Sequence, residues 1–175
     1  MEPKPYDQNL WLRNLQRMLS VAEIKESHLV LYPCPGSGET LSYLPNQTNV
    51  WVVEENKSIH KELQRKYPNA AYMCADFTKQ FHLISGPNQE YFDRIIITQP
   101  FAASQSVYTI NHAYNFLKPG GILTAIVPNE VFASSGMDCV SFRLFLDQPN
   151  TVVVELEPFD APADLKLRAI KIVKP

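Results

Sequence analysis

Residues 29–39 read LVLYPCPGSGE and join an apolar run to two closely spaced glycines, Gly36 and Gly38. The chain of 175 residues contains only six glycines, so this pair is a specific signal. A residue without a Cβ atom adopts a positive φ readily and lets a ligand approach the main chain closely. A helix that follows such a turn adds free N–H groups and a positive dipole end, which favour an anionic ligand group. The segment therefore predicts a strand near residues 28–32 and a ligand-binding turn after it, with an ordinary strand-to-helix turn as the alternative.

Two acidic residues at later strand ends support the ligand-binding interpretation. A second apolar run ends at Glu54, and a third ends at Asp76 and Phe77. In an α/β unit, Glu54 is placed to bind the ribose hydroxyls of a nucleoside, and Asp76 to accept a hydrogen bond from an adenine amino group beside Phe77. Each acid alone is also a common loop residue or helix N-cap. Leu41 stands where a dinucleotide fingerprint has its third glycine, so the turn is not of the type that binds a pyrophosphate.

Strand and helix patterns alternate along the chain. The predicted strands lie near residues 28–32, 50–54, 70–74, 93–98 and 121–127, and the predicted helices follow Gly38 and lie near 57–66, 104–117 and 138–146. Such alternation predicts an α/β fold with a parallel sheet and helices on both faces. The last two apolar runs, 151–156 and 167–173, have no helical pattern between them and predict an antiparallel edge hairpin.

In combination, these features resemble the class I S-adenosylmethionine-dependent methyltransferases, particularly those that methylate the exocyclic amino group of adenine in nucleic acids. The resemblance covers nearly the whole chain and is carried by Pro33 to Gly38, Glu54, Asp76-Phe77, residues 92–97 and Leu117 to Leu123. It implies a Rossmann-like, seven-stranded, mostly parallel sheet with helices on both faces and an antiparallel C-terminal edge hairpin. It also implies a single methyltransferase domain over residues 1–175, with an N-terminal helix at about 7–22 and no separate target-recognition domain.

The resemblance implies S-adenosylmethionine as the cofactor. The residues that it places around the cofactor are Tyr32, Pro33, Gly36, Gly38, Glu54, Asp76 and Phe77. Tyr32 is a departure, because the family usually carries an acid there, near the methionine amino group. We therefore expect the methionine end of the cofactor to be bound differently.

The resemblance places catalysis in Thr98-Gln99-Pro100-Phe101, after the fourth strand. Relatives carry an Asn, Asp or Ser, two prolines and an aromatic residue at this place. An amino nitrogen conjugated to a ring is a poor nucleophile until acceptors bind its hydrogens, and the aromatic side chain stacks on the flipped-out base. Thr98 takes the polar position and Gln99 replaces the first proline, so that its amide oxygen is a substitute acceptor. The alternative is a relict turn in which Phe101 only covers the end of the sheet.

Composition limits the partners that we expect. The chain has 16 Lys and Arg against 18 Asp and Glu, so it lacks the basic balance that phosphate contacts favour. This argues against an autonomous DNA enzyme and leaves DNA, RNA or a partner subunit that supplies target recognition as candidate partners. The apolar runs are too short for a membrane span, and the three cysteines form no C-x-x-C pair. We therefore expect a cytoplasmic protein without a membrane partner and without a metal site.

Two functions follow from the sequence. The first is an S-adenosylmethionine-dependent methyltransferase that acts on an exocyclic amino group, with adenine in DNA or RNA as the leading acceptor. The second is a catalytically degenerate methyltransferase-fold subunit or scaffold, for which Tyr32 and Gln99 are the reasons. Nicotinamide-dependent reduction is disfavoured by Leu41.

Overall fold

The computed structural model describes residues 8–45, 49–80, 90–99, 101–156 and 166–175. The strands are β1 (Leu29–Pro33), β2 (Asn49–Val53), β3 (Ala71–Met73), β4 (Phe92–Ile97), β5 (Leu117–Pro128), β6 (Thr151–Glu155) and β7 (Leu167–Val173). The helices are α1 (Gln8–Ala22), α2 (Lys57–Lys66), α3 (Phe77–Gln80), α4 (Ala103–Tyr114), α5 (Glu130–Ala133) and α6 (Met137–Leu146), and a 3-10 helix spans Glu39–Tyr43.

The strands form one sheet in the order β3-β2-β1-β4-β5-β7-β6. The first five strands are parallel, and β7 runs antiparallel between β5 and β6. This confirms the predicted fold class, including the antiparallel edge. Because β1 lies between β2 and β4, the strand order reverses between β1 and β4, and open α/β sheets bind ligands at the carboxyl ends of such strands.

Alternate residues of the central strands supply two hydrophobic cores. Leu31, Ile95 and Ile97 face one side of the sheet, where they join side chains of α4 and α6. Val30 and Ile96 face the other side, where they pack with side chains of α1 and α2. Successive side chains of a strand point to opposite faces of the sheet. A sheet that is covered on both faces therefore needs nearly continuous apolar runs.

Two elements differ from the sequence-based expectation. The residues after Gly38 form only a 3-10 helix, Glu39–Tyr43, and Leu44 is already extended. The chain must reach the start of β2 at Asn49, so there is no room for several α-helical turns. In addition, β5 begins at Leu117 and includes both Gly120 and Gly121, with an irregular register beside β4. Gly120, at φ +73°, donates its N–H to the Lys174 carbonyl at 2.8 Å, so this glycine turn is a distortion within the strand.

Helix α1 packs on the sheet through buried side chains that include Leu15 and Met18. None of the helices within the described residues is both long and apolar enough to cross a lipid bilayer.

Candidate functional site

A cavity of about 480 Å³ opens at the carboxyl ends of the parallel strands. Its lining residues follow β1, β2, β3 and β4 or belong to α3 and α4: Cys34, Glu55, Ala75, Asp76, Phe77, Thr78, Lys79, Phe101, Gln105, Tyr108 and Thr109. Its volume lies within the range of roughly 300–1,000 Å³ that small-molecule sites occupy. The cavity is therefore the candidate ligand site, and it lies where the strand order predicts one.

Asp76 lines the cavity and also begins α3. Its Oδ1 accepts hydrogen bonds from the Thr78 N–H at 3.0 Å and the Thr78 hydroxyl at 2.8 Å, and its Oδ2 lies 2.9 Å from the Lys79 ammonium. The hydrogen bond from Lys79 is the main reason why the pKa of Asp76 lies below its ordinary value. Asp76 is therefore ionised at neutral pH and combines the N-cap role with a place in the candidate site.

Glu54 and Glu55 differ in where they point. Glu54 is buried, and its Oε1 accepts a hydrogen bond from the Asn56 N–H at 2.8 Å. This bond supports the residue that caps α2, because Asn56 Oδ1 accepts the N–H groups of Ser58 and Ile59. Glu55 is the neighbour that lines the cavity. Alternation at the end of β2 is the signal that distinguishes the two carboxylates, but the sequence does not say which one faces the ligand.

The two glycines of the turn have different neighbours. Both have a positive φ, +58° at Gly36 and +70° at Gly38. A Cβ atom on Gly38 would lie 2.3 Å from Leu63 Cδ2, so this glycine allows α2 to pack closely on the turn. A Cβ atom on Gly36 would lie 2.0 Å from Gln99 Nε2. The main chain at Gly36 is thus approached by a side chain of the same protein.

Tyr32 belongs to the core on the α1 side of the sheet, and Thr98 lies beside it. Their hydroxyl oxygens are 2.6 Å apart, and both residues are buried, with exposures of 1% and 3%. Burial raises the pKa of Tyr32 to about 12, so the phenol is neutral. Pro33, the last residue of β1, is also buried and is paired with Val53. The Tyr32 hydroxyl is therefore engaged within the protein, by Thr98 and by the Thr40 side chain, and neither Tyr32 nor Thr98 lines the cavity.

The rest of the predicted catalytic segment divides between the site and the core. Phe101 lines the cavity and packs on the adjacent core. The Gln99 carbonyl accepts the Phe101 N–H at 3.0 Å, and the Phe101 carbonyl accepts the Ser106 hydroxyl at 3.1 Å. Pro100 lies outside the described residues.

Phe77 borders the cavity, but only 2% of the residue is exposed. Its ring meets those of His112 and Phe116 at centroid distances of 4.9 and 6.1 Å. The structure therefore places the ring of Phe77 in the core.

Cys34 lines the cavity directly after β1 and has a positive φ of 52°. Burial, followed by the nearby carboxylates of Glu54, Glu55 and Asp76, raises the pKa of the Cys34 thiol to about 12. The thiol is therefore protonated at neutral pH and is not a thiolate nucleophile.

Sequence reasoning did not include the helix that forms the far wall. Gln105, Tyr108 and Thr109 lie on one face of α4 and line the cavity. Gln105 and Tyr108 also line a second cavity of about 390 Å³, together with Ser104, Val107, Asn111 and Asp138. Tyr108 is 57% exposed and stands between the two cavities. The polar residues at spacings of three and four along α4 were the available signal.

No group of three metal-ligating side chains is found within the described ranges.

Solved structures are similar to the chain, although no protein-family model and no curated protein matches it. The N-methyltransferase NodS from Bradyrhizobium japonicum WM9, in complex with S-adenosyl-L-homocysteine, matches with a TM-score of 0.71 and 13% identity, over 97% of this chain and 89% of NodS. An rRNA methylase from Streptococcus thermophilus matches with a TM-score of 0.62 and 12% identity, over 91% of this chain and 95% of the methylase.

A third similar structure is an S-adenosylmethionine-dependent O-methyltransferase from Thermotoga maritima, with a TM-score of 0.67 and 14% identity, over 93% of this chain and 65% of that protein. The names of the three proteins describe N-, rRNA and O-methylation, so the likeness concerns their common fold. At these identities it establishes the fold: the chain has the Rossmann-like fold of the S-adenosylmethionine-dependent methyltransferases.

Proposed function

We propose that this protein binds S-adenosylmethionine in the larger cavity and transfers its methyl group to an exocyclic amino group, with adenine in DNA or RNA as the leading acceptor. The observation that carries the proposal is the cavity of about 480 Å³ between Asp76 and Phe101, at the carboxyl edge of a methyltransferase-like sheet. When bound, the cofactor would supply an electrophilic methyl group on a sulfonium sulfur.

The donor set of the cavity fits an adenosine. The ionised Asp76 accepts hydrogen bonds and suits an adenine amino group, and the Glu55 carboxylate on the neighbouring strand suits ribose hydroxyls. Among the described residues that line the cavity, Lys79 carries the only ammonium group, and it is paired with Asp76. Such a lining favours a ligand that offers hydrogen-bond donors over one that brings phosphates.

The acceptor side of the proposal rests on the two aromatic residues near α4. Phe101 lines the larger cavity, and Tyr108 stands between it and the smaller one. Flat rings stack on such side chains, and this chemistry is used on bases taken out of a helix. Because Thr98 is bonded to Tyr32, the Gln99 carboxamide is the side-chain group of the segment that remains to accept the amino hydrogens.

Cofactor binding is the first test of this proposal. Calorimetry with S-adenosylhomocysteine should give binding to the natural protein, and Asp76→Asn should weaken it about tenfold or more. Asparagine is as good an N-cap as aspartate, so this variant should keep the stability of α3, whereas Asp76→Ala should lose both binding and roughly 1 kcal/mol of stability. Asp147→Ala, at an exposed carboxylate after α6, is the matched control.

Methyl transfer is the second test. Labelled S-adenosylmethionine is incubated with DNA, RNA and protein in separate reactions, and base analysis locates any label. Label on an adenine amino group supports the full proposal, and label elsewhere overturns the acceptor while retaining the enzyme. Binding without transfer to any substrate favours the second candidate function.

That second candidate is a subunit or scaffold that keeps the fold without catalysis. Several acceptors of the catalytic segment are already used within the protein, since Thr98 meets Tyr32 and the Gln99 and Phe101 carbonyls accept internal hydrogen bonds. Because these acceptors are already bonded, the contacts favour a subunit or scaffold that does not catalyse methyl transfer. It predicts an unchanged fold, a stable complex with a partner and no transfer.

A further inference from the structure

The side chain of Gln99 lies on the open face of Gly36. An ideal Cβ atom at Gly36 would be 2.0 Å from Gln99 Nε2 and 3.2 Å from Gln99 Cδ, so the carboxamide occupies the space that the missing side chain leaves free. Real Cβ atoms do not approach other atoms at 2.0 Å. The close approach that the glycine permits is therefore already made, by Gln99.

The contact spans the crevice at which ligands bind in this fold class. Gly36 follows β1 and Gln99 follows β4, and the strand order reverses between these two strands. If adenosine occupies the cavity beside Asp76 at the end of β3, the remainder of the ligand extends towards β1 and β4. The carboxamide lies in that direction, on the turn.

The backbone of Gln99 makes a hydrogen bond within the segment, whereas its side chain makes none to another described residue. The Gln99 carbonyl accepts the Phe101 N–H at 3.0 Å, which holds the main chain. Within the described part of the chain, no hydrogen bond to the Gln99 carboxamide is found. A glutamine side chain rotates about three bonds, so it can leave the glycine without breaking a hydrogen bond to another described residue. In this respect it differs from the buried Tyr32–Thr98 pair, which is only 2.6 Å apart.

We propose that the Gln99 side chain is a displaceable occupant of the glycine turn and sets the affinity for the amino-acid end of the ligand. This inference rests on the proposed cofactor. A ligand that needs the uncovered turn binds with an apparent Kd equal to its intrinsic Kd divided by the uncovered fraction. Removing the side chain therefore tightens binding, whereas removing a side chain that contacts the ligand would weaken it.

Calorimetry with S-adenosylhomocysteine and with adenosine, which lacks the amino-acid end, tests the inference. Gln99→Ala should lower the Kd for S-adenosylhomocysteine about threefold or more and leave the Kd for adenosine unchanged. Gln148→Ala, at an exposed glutamine after α6, should change neither value. Binding by the natural protein that Gln99→Ala leaves unchanged or weakens overturns the inference and leaves the proposed function intact. If neither protein binds S-adenosylhomocysteine, the proposed function fails and the inference fails with it.

Discussion

Tyr32 and Thr98 lie at the ends of adjacent strands, and their hydroxyl oxygens are 2.6 Å apart in the core. A phenol in a buried position needs a partner, because an unpaired buried hydroxyl costs about 1–3 kcal/mol. The tyrosine at a position where methyltransferases usually carry an acid is thus explained by an internal contact. Its partner, Thr98, is the residue that the sequence resemblance places in the polar position of the catalytic segment.

Tyr32→Phe should therefore destabilise the fold by about 1–3 kcal/mol, since it leaves the Thr98 hydroxyl without this partner. Urea unfolding measures the change. Tyr43→Phe, at a tyrosine that is 41% exposed, is the control and should stay within about 0.5 kcal/mol. Equal stability of Tyr32→Phe and the natural protein would contradict the buried contact.

The same variant gives a pH signature. Burial raises the pKa of Tyr32 from 10.0 to about 12, so the phenol ionises at a higher pH in the folded state than in the unfolded state. The resulting stability is complete below pH 10 and is lost as the pH rises towards 12, by up to about 1.4 kcal/mol per pH unit. The advantage of the natural protein over Tyr32→Phe should shrink across this window. A constant difference would contradict the assigned pKa shift.

At the scale of elements, α1 is joined to the sheet by Arg94 of β4. Arg94 is only 8% exposed, and its Nε donates to the carbonyls of Ala22 at 2.8 Å and Glu23 at 3.3 Å. Its Nη1 donates to the Asp93 carbonyl at 2.7 Å. These bonds satisfy carbonyl groups at the end of α1, where the chain turns through Glu23 at φ +50°. Glu23 is also paired with Lys171 of β7.

Arg94→Lys should destabilise the protein by roughly 2–3 kcal/mol, because a lysine ammonium cannot reproduce the spread of the guanidinium donors. Chemical unfolding followed by circular dichroism measures it. Arg65→Ala, at an exposed position of α2, serves as the control and should have little effect. A result in which both variants behave alike would remove Arg94 from this role.

The 3-10 helix after Gly38 changes the chemistry expected of the turn. A full α-helix presents aligned N–H groups to an anion, but a segment as short as Glu39–Tyr43 provides only a small dipole. The close packing of the turn therefore matters more than its electrostatic field. This agrees with its close contacts to Gln99 on one side and Leu63 on the other.

At the scale of the whole molecule, the two cavities lie on either side of the α4 face that carries Gln105 and Tyr108. The smaller cavity includes Asp138, whose pKa is lowered chiefly by a hydrogen bond from the Ser104 hydroxyl. Arg168 and Lys171 of β7 are paired with Glu155 and Glu23, and Lys174, directly after β7, is paired with Glu90. These ion pairs partly neutralise the three cations, which therefore attract a phosphate backbone less strongly than unpaired cations would.

If the acceptor ring stacks on Tyr108, Tyr108→Ala should raise the KM for the acceptor about tenfold and leave the Kd for S-adenosylhomocysteine within twofold, because base stacking on an aromatic ring is worth roughly 1–3 kcal/mol. Tyr108→Phe should retain most of the affinity. Steady-state kinetics and calorimetry separate the two effects. A Tyr108→Ala variant that loses cofactor binding and keeps its acceptor KM would assign Tyr108 to the cofactor instead.

The alternation of apolar runs and glycine turns predicted the strands, the order of strands and helices and the antiparallel edge, because each depends on local periodicity and on short connections. The sequence also placed Asp76 and Phe101 at strand ends, and both residues line the larger cavity. What a single sequence does not contain is the direction of each side chain at a strand end. Glu54 and Glu55 are adjacent, and Thr98 and Gln99 are adjacent, yet in each pair the two side chains have different surroundings.

Sequence alone thus determined the architecture and the edge of the sheet at which the candidate site lies. The tertiary structure decided which side chains at that edge are buried and which contact each other. In the folded protein, Tyr32 and Thr98 form a buried pair, the ring of Phe77 lies in the core, and the side chain of Gln99 lies on Gly36. The physical reason is that these outcomes depend on contacts between residues far apart in the chain, 66 positions for Tyr32 and Thr98, whose packing no local pattern encodes.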